Sequence, residues 1–305
     1  MNEGIVISGI SKSYGKTIAL DGVSFTVDEG ELFGLIGPDG AGKSTLFKIL
    51  ATLLLPDSGK AEMTGLDVVK DYRKLRTEIG YMPEKFSLYQ DLTVKENLEF
   101  FASLFGVSVQ KNFDLIAPIY KQLEQFPNRL AGNLSGGMKQ KLALSCALIH
   151  KPKVLLLDEP TTGVDAVSRS EFWDMLSDLI KHGITILVST SYMDEAKLCE
   201  RIAMINNGHI LAVNTPDKLA ESIGEILYNA SSDDMFRLLT ELREIQGVKE
   251  CYTFGATLHI VAEKDFSPES IIETLQKEGL KNVRIYPAHA TIEDLFIKLM
   301  QNDGQ

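Results

Sequence analysis

Residues 37–45 read Gly37-Pro38-Asp39-Gly40-Ala41-Gly42-Lys43-Ser44-Thr45, with the spacing Gly-x-x-x-x-Gly-Lys-Ser. The stretch follows the apolar run 32–36 and precedes a helical segment at about residues 43–54, so the order predicted is strand, turn and helix. Glycines let backbone N–H groups converge on phosphate oxygens, and the helix N-terminus adds positive potential. The stretch therefore predicts a phosphate-binding loop on an open α/β sheet.

The side chains of this loop, and of a second motif, suit a magnesium nucleotide. Lys43 can neutralise β- and γ-phosphate charge, and the Ser44 hydroxyl can ligate Mg²⁺. The aliphatic run 154–157 is followed by Asp158 and Glu159. Asp158 stands at the C-terminal end of a buried strand, where α/β sheets bind ligands, and can hold Mg²⁺ through water. Glu159 is the candidate base that takes a proton from an attacking water.

A third motif lies between these two and reads Leu134-Ser135-Gly136-Gly137-Met138-Lys139-Gln140. A glycine pair at a helix start is a generic anion-binding feature, and it has no evident task on the nucleotide of its own chain. In this position the motif closely resembles the signature of the ABC ATPases. The resemblance covers residues 4 to about 220, most of the chain.

The resemblance implies a two-body ATP-driven machine with ATP and Mg²⁺ as its ligands. Each ATP would lie between residues 37–45 of one chain and the equivalent of Ser135, Gly136 and Gly137 on the other, in a homodimer or in a heterodimer with a second ABC ATPase. Closure and hydrolysis would drive integral membrane permease subunits. Within the family, residues 80–84 and the C-terminal region resemble the ATPase subunits of drug-efflux exporters.

Two further residues take roles from the resemblance. Tyr14 resembles the aromatic residue that stacks on adenine, although a half-buried loop tyrosine is the alternative. Asp165, in Gly163-Val164-Asp165, resembles the loop that couples two facing sites.

The chain departs from the family pattern at two positions. Glu84 replaces a glutamine that contacts Mg²⁺; both side chains offer an oxygen, but the carboxylate adds negative charge and loses an amide donor. Ser191 stands where the family usually places a histidine that contacts the γ-phosphate, and a serine hydroxyl cannot carry positive charge. His182 precedes the strand, so it is expected at the far end. We therefore predict slow hydrolysis at the site built on this chain's own loop.

The chain is expected to form two domains. Residues 1–220 are predicted as an α/β P-loop ABC ATPase core with an antiparallel β subdomain and a helical subdomain at about 86–150. Within the latter, Thr93 and Glu96 have capping-box spacing. Residues 221–305 alternate strands and helices in the order β-α-β-β-α-β, which predicts a small ferredoxin-like α+β accessory domain with a final helix.

Composition and charge limit the classes of function that the chain can have. The net charge of -11 argues against nucleic acid as a partner. The chain lacks a signal-peptide pattern and an apolar run of about 18 residues, so we expect a cytoplasmic protein, peripheral on the membrane through a membrane subunit. Two alternatives remain: a soluble ABC ATPase of translation or DNA repair, and a regulatory subunit that binds ATP without useful turnover. Residues 86–89 would either receive a membrane-subunit helix or pack the helical subdomain.

Overall fold

The computed structural model describes residues 3–302. They divide into two compact units, one up to Pro216 and one from Asp217 onward. None of the helices in this described part is long and apolar enough to cross a bilayer.

The strands of the first unit form two sheets. They are β1 (Glu3–Tyr14), β2 (Thr17–Asp28), β3 (Leu32–Ile36), β4 (Ser58–Met63), β5 (Leu66–Asp67), β6 (Ile79–Met82), β7 (Val154–Asp158), β8 (Thr185–Thr190), β9 (Arg201–Asn206) and β10 (His209–Asn214). The antiparallel sheet has the order β2-β1-β4-β5 and forms the predicted β subdomain. The second sheet has the order β10-β9-β3-β8-β7-β6 and is parallel except for its β10 edge.

The centre of the parallel sheet is apolar and buried. All residues of β3, β7 and β8 are buried, as expected for strands that are covered on both faces. These three strands are neighbours and run in the same direction, so their carboxyl ends meet at one edge. That edge brings together the loop after Ile36, the carboxylates after Leu157 and the segment after Thr190.

The helices of the first unit are α1 (Lys43–Leu50), α2 (Tyr72–Glu78), α3 (Val94–Leu104), α4 (Val109–Tyr120), α5 (Gly136–Leu148) and α6 (Ala166–Ile180). The first ends at Leu50 rather than near Leu54, and Thr52 there has a φ of 60°. The predicted capping box at Thr93 and Glu96 is present at the start of α3. Ser135 caps α5 by accepting a hydrogen bond from Met138 N.

The second unit is a four-stranded antiparallel sheet with helices. Helix α7 (Pro216–Glu221) begins at the boundary, and the remaining elements are β11 (Ile226–Ser231), α8 (Met235–Glu244), β12 (Val248–Phe254), β13 (Thr257–Ala262), α9 (Pro268–Lys277), β14 (Arg284–Ala288) and α10 (Ile292–Asn302). The sheet order is β12-β13-β11-β14. This is the order of a ferredoxin-like fold, in which the first and third strands are central, and it agrees with the predicted sequence of elements.

Candidate functional site

The loop between β3 and α1 has a backbone that requires glycine at defined positions. Gly42 has a φ of 105°, and a Cβ there would lie 2.3 Å from the Ala19 carbonyl oxygen. A Cβ on Gly37 would lie 2.2 Å from the Ile205 carbonyl oxygen. The Gly37 N–H donates to the Thr190 carbonyl at the end of β8, at 3.3 Å. The loop is therefore fitted closely against its neighbours, which a side chain at these glycines would prevent.

Lys43 turns its amine back into the loop. Its Nζ donates to the carbonyl oxygens of Gly37 at 2.6 Å and Pro38 at 2.9 Å. It also lies 3.0 Å from Glu159 Oε1, and both side chains are almost fully buried. The cation and the candidate base thus neutralise each other at the site.

Asp158 is buried at the base of the site and holds two hydroxyl groups. Its Oδ1 accepts hydrogen bonds from Ser44 at 3.1 Å and from Ser189 at 2.8 Å. Burial raises the pKa of Asp158, and the charges of Glu159 and Glu84 raise it further, against the lowering effect of the two hydroxyls. An ionised carboxylate in this position is a ready partner for a cation.

Glu159 adopts a left-handed backbone with a φ of 50°, which is unusual for a residue with a side chain. Its N–H donates to Ser189 Oγ at 2.9 Å. Its Oε2 accepts from Thr162 Oγ1 at 3.0 Å and from the Ser191 N–H at 3.3 Å. Its Oε1 has the Lys43 ion pair but no hydrogen bond of good geometry. The carboxylate is therefore held in one orientation by groups from three segments.

A cavity of about 600 Å³ opens over these groups. Such a volume suits a nucleotide-sized ligand. Its lining combines the phosphate loop with the other residues predicted from sequence: Tyr14, Asp39, Gly40, Gly42, Lys43, Ser44, Thr45, Glu84, Glu159 and Ser191. Tyr14 is 49% exposed, so its ring is accessible to a ligand.

Several predicted site residues do not line this cavity. Gly37, Pro38 and Ala41 contribute loop backbone, and Asp158 lies beneath Ser44. Ser135, Gly136, Gly137 and Asp165 lie elsewhere but close to one another. A Cβ on Gly137 would fall 2.5 Å from Ser168 Oγ, and one on Gly136 would fall 3.5 Å from the Gly163 carbonyl oxygen.

Asp165 acts as the cap of α6. Its Oδ1 accepts a hydrogen bond from the Ser168 N–H at 3.0 Å, and this bond holds the pKa of the Asp165 carboxyl below its usual range. Ser168 also faces Gly137, so residues 135–137, here called the signature turn, form one continuous surface with the turn at Asp165.

The residues at the base of the cavity fit a magnesium ion. Mg²⁺ prefers oxygen ligands and takes few of them from protein when phosphates are present. The Ser44 hydroxyl and the Asp158 carboxylate offer such oxygens 3.1 Å apart. Among residues 3–302 there is no cluster of three or more acidic, histidine or cysteine side chains that would hold a metal without a ligand's help.

Three residues of this region were not predicted from the sequence. Ser189 links Asp158 to the backbone of Glu159, and Thr162 orients the Glu159 carboxylate. Glu195 is buried behind the cavity and bonds Thr161 and Thr190. The only feature of the sequence that could have indicated these three residues is their position, because each lies within five residues of a motif at a strand end.

Known proteins resemble this chain over most or all of its length. The family model described as ABC transporter matches residues 20–162. Over 97% of its length the chain is 37% identical to the Nod factor export ATP-binding protein I of Burkholderia orbicola (strain AU 1054), and it covers 96% of that protein. It is 38% identical to a probable multidrug ABC transporter ATP-binding protein of Escherichia coli (strain K12), and spans about half, 53%, of that relative's length.

Solved structures show the same likeness. An ATP-binding subunit of an ABC transporter has a TM-score of 0.66 and 29% identity, covering 72% of this chain and 93% of that one. A dimeric ATP-binding cassette in a post-hydrolysis state, bound to ADP and Pi, has a TM-score of 0.63 and 27% identity. That comparison covers 69% of this chain and 98% of the other.

Proposed function

Because the chain belongs to the ATP-binding proteins of ABC transporters, we propose that it is the ATPase subunit of an exporter with separate membrane subunits. Family membership makes it an ATP-binding cassette that hydrolyses ATP. Export is supported by the relatives, whose names describe a multidrug transporter and Nod factor export. Residues 1–220 would then be the ATPase domain and residues 221–305 an accessory domain.

Four side chains, three that line the cavity and a fourth hydrogen-bonded to one of them, meet at one place, and this observation carries the proposal. Lys43, Ser44 and Glu159 line it, and Asp158 bonds Ser44 from below. Lys43 would bind the β- and γ-phosphates, with the backbone of residues 37–45 around them. Ser44, Asp158 and Glu84 would hold Mg²⁺, which when bound neutralises phosphate charge. Tyr14 would stack on adenine from the cavity wall.

Glu159 would accept the proton of the attacking water. Thr162 and the Ser191 N–H hold its Oε2, so the carboxylate is oriented before a ligand arrives. Its Oε1 faces Lys43 at 3.0 Å. Nucleotide binding would therefore exchange one anionic partner of Lys43, the carboxylate, for another, the triphosphate. That exchange would release Glu159 for catalysis.

The functional unit would be a dimer, either of this chain or with a second ABC ATPase. Ser135, Gly136, Gly137 and Asp165 do not line the cavity of their own chain. Ser135 and Gly136 are exposed, as groups that contact another molecule's nucleotide must be. A dimeric relative of similar fold, bound to ADP and Pi, supports this arrangement.

The membrane subunit would dock at an apolar cavity of about 620 Å³ in the first unit. Its lining includes Leu53, Leu88, Phe101, Leu104 and His150. Leu53 and Leu104 are more than half exposed, which leaves apolar surface to be covered by a partner. Leu88 is buried, which supports packing of the helical subdomain by residues 86–89, and it also lines this cavity, which supports docking. This attachment would make the chain peripheral on the cytoplasmic face of the membrane.

A second candidate function is that of a degenerate subunit with little hydrolysis of its own. Ser191 favours it, because this residue lines the cavity where a histidine is usual and offers a neutral side chain. The Glu159 carboxylate argues for residual turnover. The chain's intact signature turn would then complete a competent site on a partner ATPase.

Steady-state ATPase activity of the purified chain, with Ser191→His and Glu159→Gln beside it, tests both candidates. We expect weak wild-type turnover that rises in Ser191→His and disappears in Glu159→Gln. Turnover at ordinary ABC rates, unchanged by Ser191→His, would instead indicate a self-sufficient homodimeric motor. Bound ATP that stays intact in single-turnover experiments would identify a regulatory binding subunit.

A further inference from the structure

Glu195 is a buried carboxylate that does not line the nucleotide cavity. It lies in the 3₁₀ turn Met193–Leu198 and is 2% exposed. Its Oε1 accepts a hydrogen bond from Thr161 Oγ1 at 2.8 Å, and its Oε2 accepts one from Thr190 Oγ1 at 2.5 Å. Burying a charge is costly unless it is hydrogen-bonded, so each hydroxyl is needed where it stands.

The two threonines come from different segments of the site. Thr161 follows Glu159 by two residues, in the turn whose next residue, Thr162, orients the Glu159 carboxylate. Thr190 ends β8 and directly precedes Ser191, whose N–H also reaches Glu159. One buried side chain thus links the segment that carries the candidate base to the segment that faces it.

Thr190 extends the connection to the phosphate loop. Its carbonyl oxygen accepts the Gly37 N–H at 3.3 Å. Its hydroxyl accepts the Tyr192 N–H at 3.0 Å while donating to Glu195. A carboxylate can only accept hydrogen bonds, so both threonine hydroxyls donate to Glu195.

We propose that Glu195 is a positioning residue for ATP hydrolysis, which holds the Glu159 and Ser191 segments at their spacing across the cavity. The inference rests on the proposed role of Glu159 as the base. The Glu195 side chain does not line the cavity that would bind ATP, so its effect is on the geometry of hydrolysis rather than on affinity. A displacement of reacting groups by about 1 Å costs on the order of 100-fold in rate.

The substitution Glu195→Gln keeps the shape of the side chain but replaces one acceptor oxygen with a donor. The amide would face a threonine hydroxyl that no longer has an acceptor. We expect kcat, and the single-turnover rate, to fall about 10- to 100-fold. The Kd for a fluorescent ATP analogue should stay at the wild-type value, because the substitution keeps the backbone carbonyl of Thr190 that bonds Gly37 in the phosphate loop.

Two substitutions of Thr161 make the test independent of whether Glu195→Gln folds. Thr161→Val removes the hydroxyl with little change in shape, and Thr161→Ser restores it. Thr185→Val is the matched control: Thr185 is buried at the other end of β8, and its hydroxyl accepts the Gly30 N–H at 2.9 Å. This control should lower the melting temperature but leave kcat unchanged.

The full-length chain is assayed for kcat, nucleotide Kd and melting temperature in each variant. The inference predicts a loss of kcat without loss of affinity in Glu195→Gln and Thr161→Val, with recovery in Thr161→Ser. It is overturned if kcat in these variants matches wild type, or if rate and affinity fall together in step with melting temperature, as in a purely structural role. A wild-type chain that hydrolyses no ATP overturns the proposed function as well, so the two failures are distinguishable.

Discussion

Neutralising Glu159 should destabilise the nucleotide-free ATPase unit and at the same time strengthen ATP binding. Glu159 and Lys43 form a 3.0 Å ion pair whose side chains are 7% and 5% exposed. Glu159→Gln leaves the Lys43 ammonium group buried without a counter-charge. The same change removes a carboxylate that would repel a triphosphate. The two effects have opposite signs, so one variant tests both.

The size of the loss follows from the contacts that remain. Removing one partner of a buried ion pair costs about 3–5 kcal/mol when nothing replaces it. Lys43 keeps its hydrogen bonds to the Gly37 and Pro38 carbonyls at 2.6 and 2.9 Å, and bonds to charged groups contribute about 1.5–3 kcal/mol each. We therefore expect a smaller net loss of about 1–3 kcal/mol in the free energy of unfolding. For a unit of this size, that lowers the melting temperature by about 2–12 °C.

Calorimetry with and without ATP, in EDTA and in Mg²⁺, measures both terms. ATP should raise the melting temperature of Glu159→Gln more than that of wild type, and its Kd should fall by about tenfold, equivalent to about 1.4 kcal/mol. Asp178→Asn is the control, because it removes a carboxylate from an exposed pair with Lys181 and should change stability by well under 1 kcal/mol. A nucleotide-free Glu159→Gln chain that melts at or above wild type would refute the reasoning.

Two further predictions concern the base of the cavity and the phosphate loop. Burial raises the pKa of Asp158, so its ionised form destabilises the fold at neutral pH. Asp158→Asn should therefore increase resistance to urea at pH 7. The gain should shrink as pH falls through the raised pKa, because the wild-type carboxyl is then also neutral. Gly42→Ala should weaken ATP binding in titrations, because its Cβ would lie 2.3 Å from the Ala19 carbonyl oxygen. Gly40→Ala is the control: its Cβ would meet open space, so this variant should lose less ATP affinity despite the φ of 81° at Gly40.

The local features of this fold could be predicted from the sequence because they depend on neighbouring residues. The Thr93 and Glu96 spacing predicts a helix start, and the structure has both reciprocal hydrogen bonds. The fully apolar run 154–157 predicts a buried strand and becomes β7. In the second unit, the alternation of elements sufficed for the ferredoxin-like order. Hydrogen bonds between nearby residues and the spacing of apolar residues determine these elements, so one sequence is enough to predict them.

The contacts within the site could not be predicted, because they depend on the order of the strands in the sheet, which does not follow from the sequence. β3 lies between β9 and β8, although residues 36 and 185 are far apart in the chain. That neighbourhood brings the Thr190 carbonyl to Gly37, and Ser189 to Asp158. A serine, a threonine and a glutamate near strand ends have no distinctive pattern of their own. Their roles follow only once the parallel strands are placed side by side.

The signature turn illustrates how the same geometry limits what one chain can do alone. Ser135 Oγ accepts the Met138 N–H at 3.4 Å, which uses a lone pair and leaves the hydroxyl proton free to donate. The first N–H groups of α5 lack partners within the helix, as at any helix start. These donors suit a phosphate, yet they do not line the cavity that contains Lys43. Because Gly137 packs against Ser168, and Ser168 bonds Asp165, the turn and the Asp165 loop would meet a second nucleotide site as a unit. A site with donors from two molecules can form only when both are present, so under the proposed function hydrolysis would depend on dimer closure.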